Sequence, residues 1–147
     1  MIAIRLVRLI ESHSDPLARG LMEKLLTSCW IEDIHKVPRE ELQQRVRETY
    51  AQLSDWLLRK TERDIERCYT AIAARRAAQG VRLSTVIYAI FAAKEHLWEY
   101  LEREGYVDRP LELFQELDLL RRVDQFFDRA AYYTARGYEL VKVSQAA

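Results

Sequence analysis

The chain has 147 residues, enough for one domain with a real core, and 49% of them are hydrophobic, which excludes a disordered chain. Lys+Arg and Asp+Glu balance at 23 each, so charge gives no argument for a nucleic-acid partner or an anionic membrane. No stretch approaches the ~20 apolar residues of a membrane span. The start, Met1-Ile-Ala-Ile-Arg-Leu-Val-Arg, is broken by Arg5 and Arg8 where a signal peptide would be uninterrupted. Residues 1–147 are therefore read as one cytoplasmic domain.

Ile2 to Glu11 can form a short helix with Leu6, Leu9 and Ile10 on its apolar side. Ser14 and Asp15 before Pro16 start a second helix, because proline in the first turn loses no hydrogen bond. Its apolar face takes Leu17, Ala18, Leu21, Met22, Leu25, Leu26, Cys29 and Trp30. Asp33 to Val37 reads as a connection, and Pro38 opens a third helix. That helix carries a stripe of Leu42, Val46, Tyr50, Leu53, Trp56 and Leu57, with Arg45, Glu48, Gln52, Asp55 and Arg59 facing water. Thr61 and Asp64 have the spacing of a capping box at the start of a fourth helix.

The fourth helix buries Ile65, Cys68, Tyr69 and Ile72 and ends in Arg75 and Arg76, where cations meet the negative end of the helix dipole. Gly80 then stands where a left-handed residue is wanted, and Ser84 is the predicted N-cap of the next helix. The two helices should form a tight αα-hairpin. The fifth helix follows the line Val86, Ile87, Ile90, Phe91, Leu97, Trp98 and Leu101, with Gly105 as its closing residue. Asp108-Arg-Pro110 starts a long last helix whose broad apolar face runs from Phe114 to Val141, with Gly137 its one weak point and residues 143–147 a frayed tail. No strand alternation or repeat is visible. The fold class is all-α, about six helices in a bundle or globin-like packing with a long C-terminal helix.

No catalytic constellation stands out. Glu32-Asp-Ile-His35 matches one half of a di-iron motif that needs two, so a solvated loop histidine is the plainer reading. His96 is the best haem-ligand candidate, yet it neighbours Glu95 off the apolar line and reads as a surface or helix-edge histidine; His13 offers nothing further. Cys29 and Cys68 lack CxxC spacing and read as reduced, semi-buried packing thiols. No metal or cofactor is expected. Two charges break the apolar pattern, Arg76 and Lys94. Either their stems lie along the core and the charges reach outward, or they make a buried polar contact that fixes register or binds an anion.

Two clusters are candidate sites. Tyr69, Arg76, Tyr88 and Trp98 lie on the hairpin helices and supply aromatic walls with a cation, as a small-molecule cavity would, against plain core packing. On the last helix, Leu117, Leu120, Phe127, Ala131 and Tyr138 can face the domain's own core, while Leu119, Val123, Phe126, Ala130 and Tyr133 point in a neighbouring direction. Such a second apolar face is either covered by the N-terminal helices or buried in a two-fold dimer, and the dimer is the expectation.

Arg75-Arg76 followed by Gln79-Gly80-Val81-x-Leu83-Ser84-x-Val86 resembles the hairpin of the RsbRD-type N-terminal domains. Leu120-Arg-Arg-Val-Asp124-Gln-Phe126-Phe127-Asp128-Arg-Ala130 with Gly137-Tyr138 is similar to that family's closing segment, and the resemblance runs roughly from Leu6 to Glu139. It implies a non-enzymatic input domain of bacterial signal transduction, as in stressosome RsbT co-antagonists and some sensor histidine kinases. It also implies a homodimer that couples through its last helix to a STAS or histidine-kinase output module, in cis or in trans, with no catalytic residue to carry over. The alternative is a small-ligand or haem-binding globin-like sensor.

Overall fold

The structure, a computed structural model, describes the backbone of residues 2–104 and 110–146 and the side chains of 6–104 and 117–142. Among the described residues, seven α-helices and one 3-10 turn follow in order: α1 Ile2–Ser12, α2 Ser14–Thr27, the 3-10 turn Glu32–Lys36, α3 Arg39–Ala51, α4 Leu53–Leu58, α5 Glu62–Ala78, α6 Leu83–Arg103 and α7 Pro110–Ala146. Among the described residues there is no strand. The all-helical reading stands, with its long last helix. The expectations for Gly105, for Asp108-Arg109, for the Phe114 side chain and for the tail side chains fall outside the described residues.

Several boundaries differ from expectation: α2 already includes Ser14 and Asp15, with His13 at its N-cap position, and it ends early. α2 stops at Thr27, so Cys29 is exposed and Trp30 is 76% exposed rather than packed. The single helix expected after Pro38 breaks at Gln52 (φ −110°, ψ 20°). The break lets Leu53 and Trp56 turn into the core, and the Glu11 carboxylate of α1 accepts from Ser54 N (3.3 Å) and Oγ (2.9 Å), capping α4 from outside the local chain. Ser84 is not the cap of α6, which begins one residue earlier. Its cap is again supplied from a distance: Asp33 Oδ2 accepts from Arg82 N at 2.8 Å, and Oδ1 accepts from the Thr85 hydroxyl.

Local signals did place the hairpin. Thr61 Oγ1 accepts from Asp64 N, and Asp64 Oδ2 accepts from Thr61 N at 2.8 Å, a full capping box. Gly80 has φ +79°. Gly80 N bonds Ala77 O and Val81 N bonds Arg76 O, each at 3.0 Å, which is the paired closure of a Schellman turn. Val81 is buried over the helix end, as the pattern requires.

α7 is the spine. It packs along α5 most extensively and along α6, with α1 and α4 covering more of its surface. α6 runs antiparallel to it, with Trp98 Nε1 donating to Asp124 (3.2 Å) and Lys94 pairing with Asp128 (3.4 Å). Lys94 therefore follows the first of its two readings and reaches outward. Gly137, a poor helix former by propensity, marks a close crossing of α7 on α5. A Cβ there would lie 2.5 Å from the Ala73 Cβ and 3.1 Å from the Thr70 Cα. At the next residue, the Tyr138 hydroxyl donates to Val81 O at 2.7 Å and ties α7 to the hairpin.

Candidate functional site

The polar centre of the molecule is built where the N-terminal half of α3 meets the C-terminal turn of α5. Glu41 sits in the first turn of α3, where the helix dipole favours an anion. Its carboxylate accepts from Arg75 Nε (2.9 Å) and Nη2 (3.0 Å), from Arg76 Nη1 (2.6 Å) and from the Gln79 amide (3.1 Å). The hydrogen bonds from Arg75, and those from Arg76 against the opposing effect of burial, hold Glu41 down at about 2. Arg76 is only 5% exposed and also donates to Gln79 Oε1. The second reading of Arg76 is the one realised: a buried polar contact that fixes the register of α5 on α3.

Immediately beneath this cluster lies a cavity of about 80 Å³. Arg45, Thr49, Tyr69 and Arg76 line its polar end, and Leu25, Val46, Ile72, Ile90, Ala93 and Phe127 are among its apolar walls. The stripe pattern of α3 puts Arg45 on its water face. It instead lies between α3 and α5, with its guanidinium 5.9 Å from the centre of the Tyr69 ring. Nη1 faces Cys68 Sγ at 3.9 Å and Glu48 at 3.5 Å, while Nε and Nη2 are buried with no hydrogen-bond partner among the described residues. The signal for this was its spacing, three residues after Leu42 and four before Thr49, both of which are buried. Burial, partly offset by Arg45, pushes the Tyr69 hydroxyl up to about 12. Burial also raises Cys68, which makes that thiol less reactive.

Of the four residues expected to share a pocket, Tyr69 and Arg76 do so. Tyr88 does not; it is 39% exposed along a shallow groove between α6 and α7. Trp98 is half-buried, turned toward Asp124. The expected dimer face requires a larger correction. Leu119, Val123, Phe126 and Ala130 are at most 5% exposed within one chain, and Tyr133 is half-buried with its hydroxyl donating to Glu62 (2.7 Å). Phe126 stacks on Trp56 at 5.6 Å and meets Tyr69 edge-on, so helices of the same chain take the place assigned to a partner. Conversely Leu117, assigned to the core, is 48% exposed.

His96 is corrected too. It is 7% exposed, wedged against α2 where Gly20 carries no side chain. Burial, helped by Lys24, lowers its pKa, and a bond to the Leu17 backbone opposes this. It does not line the cavity, so it presents no axial ligand there. His35 is exposed and bonded to Leu26 O (3.1 Å), and His13 is bonded to Leu9 O (2.8 Å). Among the described residues no three His, Cys, Asp or Glu side chains form a metal-ligand group, and no helix is long and apolar enough to cross a membrane.

Comparison with known proteins places the chain by sequence. No curated protein and no solved structure matches it. The family model of the RsbT co-antagonist protein rsbRD N-terminal domain matches residues 15–146, from the first turn of α2 to the end of α7, and the chain belongs to that family.

Proposed function

We propose that this chain is a non-enzymatic, cytoplasmic input domain of bacterial signal transduction. It works as a homodimer and passes its state through α7 to an output module of STAS or histidine-kinase type, joined in cis or bound in trans. The family match over residues 15–146 carries this reading. The fold supports the coupling step. α7 has 37 residues, a rod of roughly 55 Å at 1.5 Å per residue. Four other helices pack on it, so a small shift in any of them acts on the same rod.

The face first expected for the dimer is buried within one chain, so we propose a different contact. One apolar strip among the described residues lies on α6 and its border with α7, where Tyr88 and Phe91 are exposed beside Ile87 and Tyr138, and we place the dimer contact there. Two copies meeting there would bury that strip in a four-helix arrangement. Sedimentation of the chain at micromolar concentration tests this part. A dimer that becomes a monomer in Phe91→Glu supports it, and a wild-type monomer removes it. Coupling is tested by joining the chain to a STAS module and inserting one to four residues after α7. Output that rises and falls with helical phase supports transmission through the helix. Output that ignores the insertions contradicts it.

A further inference from the structure

The cavity under the Glu41 cluster has a chemical signature more specific than its position. We propose that it binds a small monocarboxylate with a compact aliphatic tail, held by the Nε and Nη2 edge of Arg45. The proposal takes its meaning from the input-domain reading, as the ligand that domain would sense.

Three observations support it. The first is which atoms of Arg45 are unused. Nε and Nη2 form the side-on fork of a guanidinium, the edge whose two parallel N–H groups match the two oxygens of a carboxylate. Both are buried without a partner among the described residues, whereas Nη1, on the far side, is turned to Cys68 and Glu48. A buried donor without an acceptor is destabilising, and a guanidinium cannot shed its charge to relieve it. The neighbouring charges do not neutralise the site. Arg45, Arg75 and Arg76 face Glu41 and Glu48, which leaves one positive charge in excess.

The second is the lining. Away from the polar end the walls are Leu, Ile, Val, Ala and Phe side chains. A hydrated inorganic anion would lose its water there without replacement, whereas an aliphatic tail would gain. The size fits a small molecule: about 80 Å³ of water-accessible space against the ~10–15 Å³ that a single water requires.

The third is access. A shallow depression on the outer surface between α3 and α5 is lined by Glu41, Gln44, Glu48 and Arg75 together with Arg45, Ile72 and Arg76. The last three also line the cavity, so they form the partition between it and solvent. Entry in this proposal requires only a rotamer change of Arg45 or Ile72, the side chains of that partition. Because α3 and α5 both bound the site and α5 packs along α7, a ligand seated there bears on the helix that would carry the signal.

The test uses the whole chain and the sodium salts of acetate, butyrate, isovalerate, hexanoate and decanoate at fixed ionic strength, with 1-pentanol as the neutral control. Melting temperature and titration calorimetry are read together. The expected result is a saturable rise in Tm that peaks at an intermediate chain length and is absent for acetate and decanoate. Arg45→Gln and Arg45→Lys should both weaken the best acid by at least about tenfold, since neither offers the fork. Ala93→Leu, which fills the cavity and leaves Arg45 in place, should abolish binding. No saturable response to any acid, equal binding by the Arg45 variants, or equal binding of 1-pentanol would overturn the proposal. A chain that ignores every acid but still drives a joined output module in a phase-dependent way sinks the ligand alone. One that binds the acid and drives no output sinks the input-domain reading instead.

Discussion

Two helix crossings in this protein each carry a glycine, and they use it differently. Where α5 meets α7, the atoms a Gly137 side chain would strike include the Cβ of Ala73 and the main-chain Cα and O of Thr70, at 2.5, 3.1 and 3.2 Å. Where α2 meets α6, the atoms a Gly20 side chain would strike are Cε1 and Nε2 of the His96 ring, both at 2.7 Å. Backbone cannot step aside, but an imidazole can. Gly137 therefore sets the distance between two helices, and Gly20 makes room for one side chain. Helix propensity ranks both as equally poor, each about 1 kcal/mol worse than alanine. Tertiary contact separates them.

The sharpest way to break this comparison is to fill the first crossing. Gly137→Leu should destabilise the fold by about 3 kcal/mol or more, since the extra carbons meet main chain that only a helix displacement can relieve. The urea midpoint reads this directly. A midpoint at the wild-type value would mean that α5 and α7 do not approach as described.

A third crossing sharpens the contrast because a charge, not a small residue, defines it. Glu41→Ala strands Arg76 in the α3–α5 contact. The expected loss is about 2 kcal/mol, below the 3–5 of a fully buried pair because Glu41 is 27% exposed and Gln79 still accepts from Arg76. Arg76→Met in the same chain should restore most of it, and no restoration would show that the pair is not the cause. The pH dependence has a definite sign. Glu41 titrates at about 2 in the fold against 4.5 unfolded, so the unfolded chain binds its proton first as pH falls. The stabilisation is complete above about 4.5 and is lost toward 2, and Glu41→Gln should lack that component.

The parts of this structure that the sequence made legible are those whose cause lies within six residues. The capping box at Thr61 and Asp64 and the Schellman closure at Gly80 are local, and their signals survive any tertiary context. The illegible parts are joined across the chain. Asp33 caps α6 from 49 residues away, and Glu11 caps α4 from 43. Nothing near Ser84 or Gln52 records either. The apolar arc of α7 was seen, but an arc of that width reads the same whether α1, α4 and α5 cover it or a second copy does. Arg45 borders an apolar stripe, and the pattern alone cannot tell an arginine facing water from one folded between two helices, so its place at the cavity is not legible locally. Half of the candidate pocket was found because Tyr69 and Arg76 lie on the stripe itself.

A conformational glycine should fall between the two spatial ones. Gly80 is open around its Cα, with Lys36 Nζ 3.6 Å and Cδ 3.7 Å from a built Cβ. Substitution there meets only the dihedral penalty of φ +79°. Gly80→Val should lose about 1–2 kcal/mol and Gly80→Asn much less, because asparagine tolerates the left-handed region. Equal losses for the two variants would show that space, not backbone angle, limits this turn.

The smallest effect expected is at Gly20, and it is also the most discriminating. Gly20→Ala gains up to about 1 kcal/mol of helix propensity and displaces the His96 ring, so the net change should stay within about 1 kcal/mol of zero. The displacement is visible through pH. In the wild type, burial holds the folded imidazole below its ordinary 6.5, so the unfolded chain takes up the proton more readily. That contribution is intact above pH 6.5 and is lost as pH falls from there through the folded value. An alanine at position 20 that moves the ring toward water returns its folded value toward 6.5 and flattens the acid limb. Urea midpoints of the two proteins, compared at pH 8 and pH 5, should therefore converge or cross on the acid side. If Gly20→Ala instead loses as much as Gly137→Leu at both pH values, α2 is held to α6 as rigidly as α5 is to α7, and the distinction between the two crossings disappears.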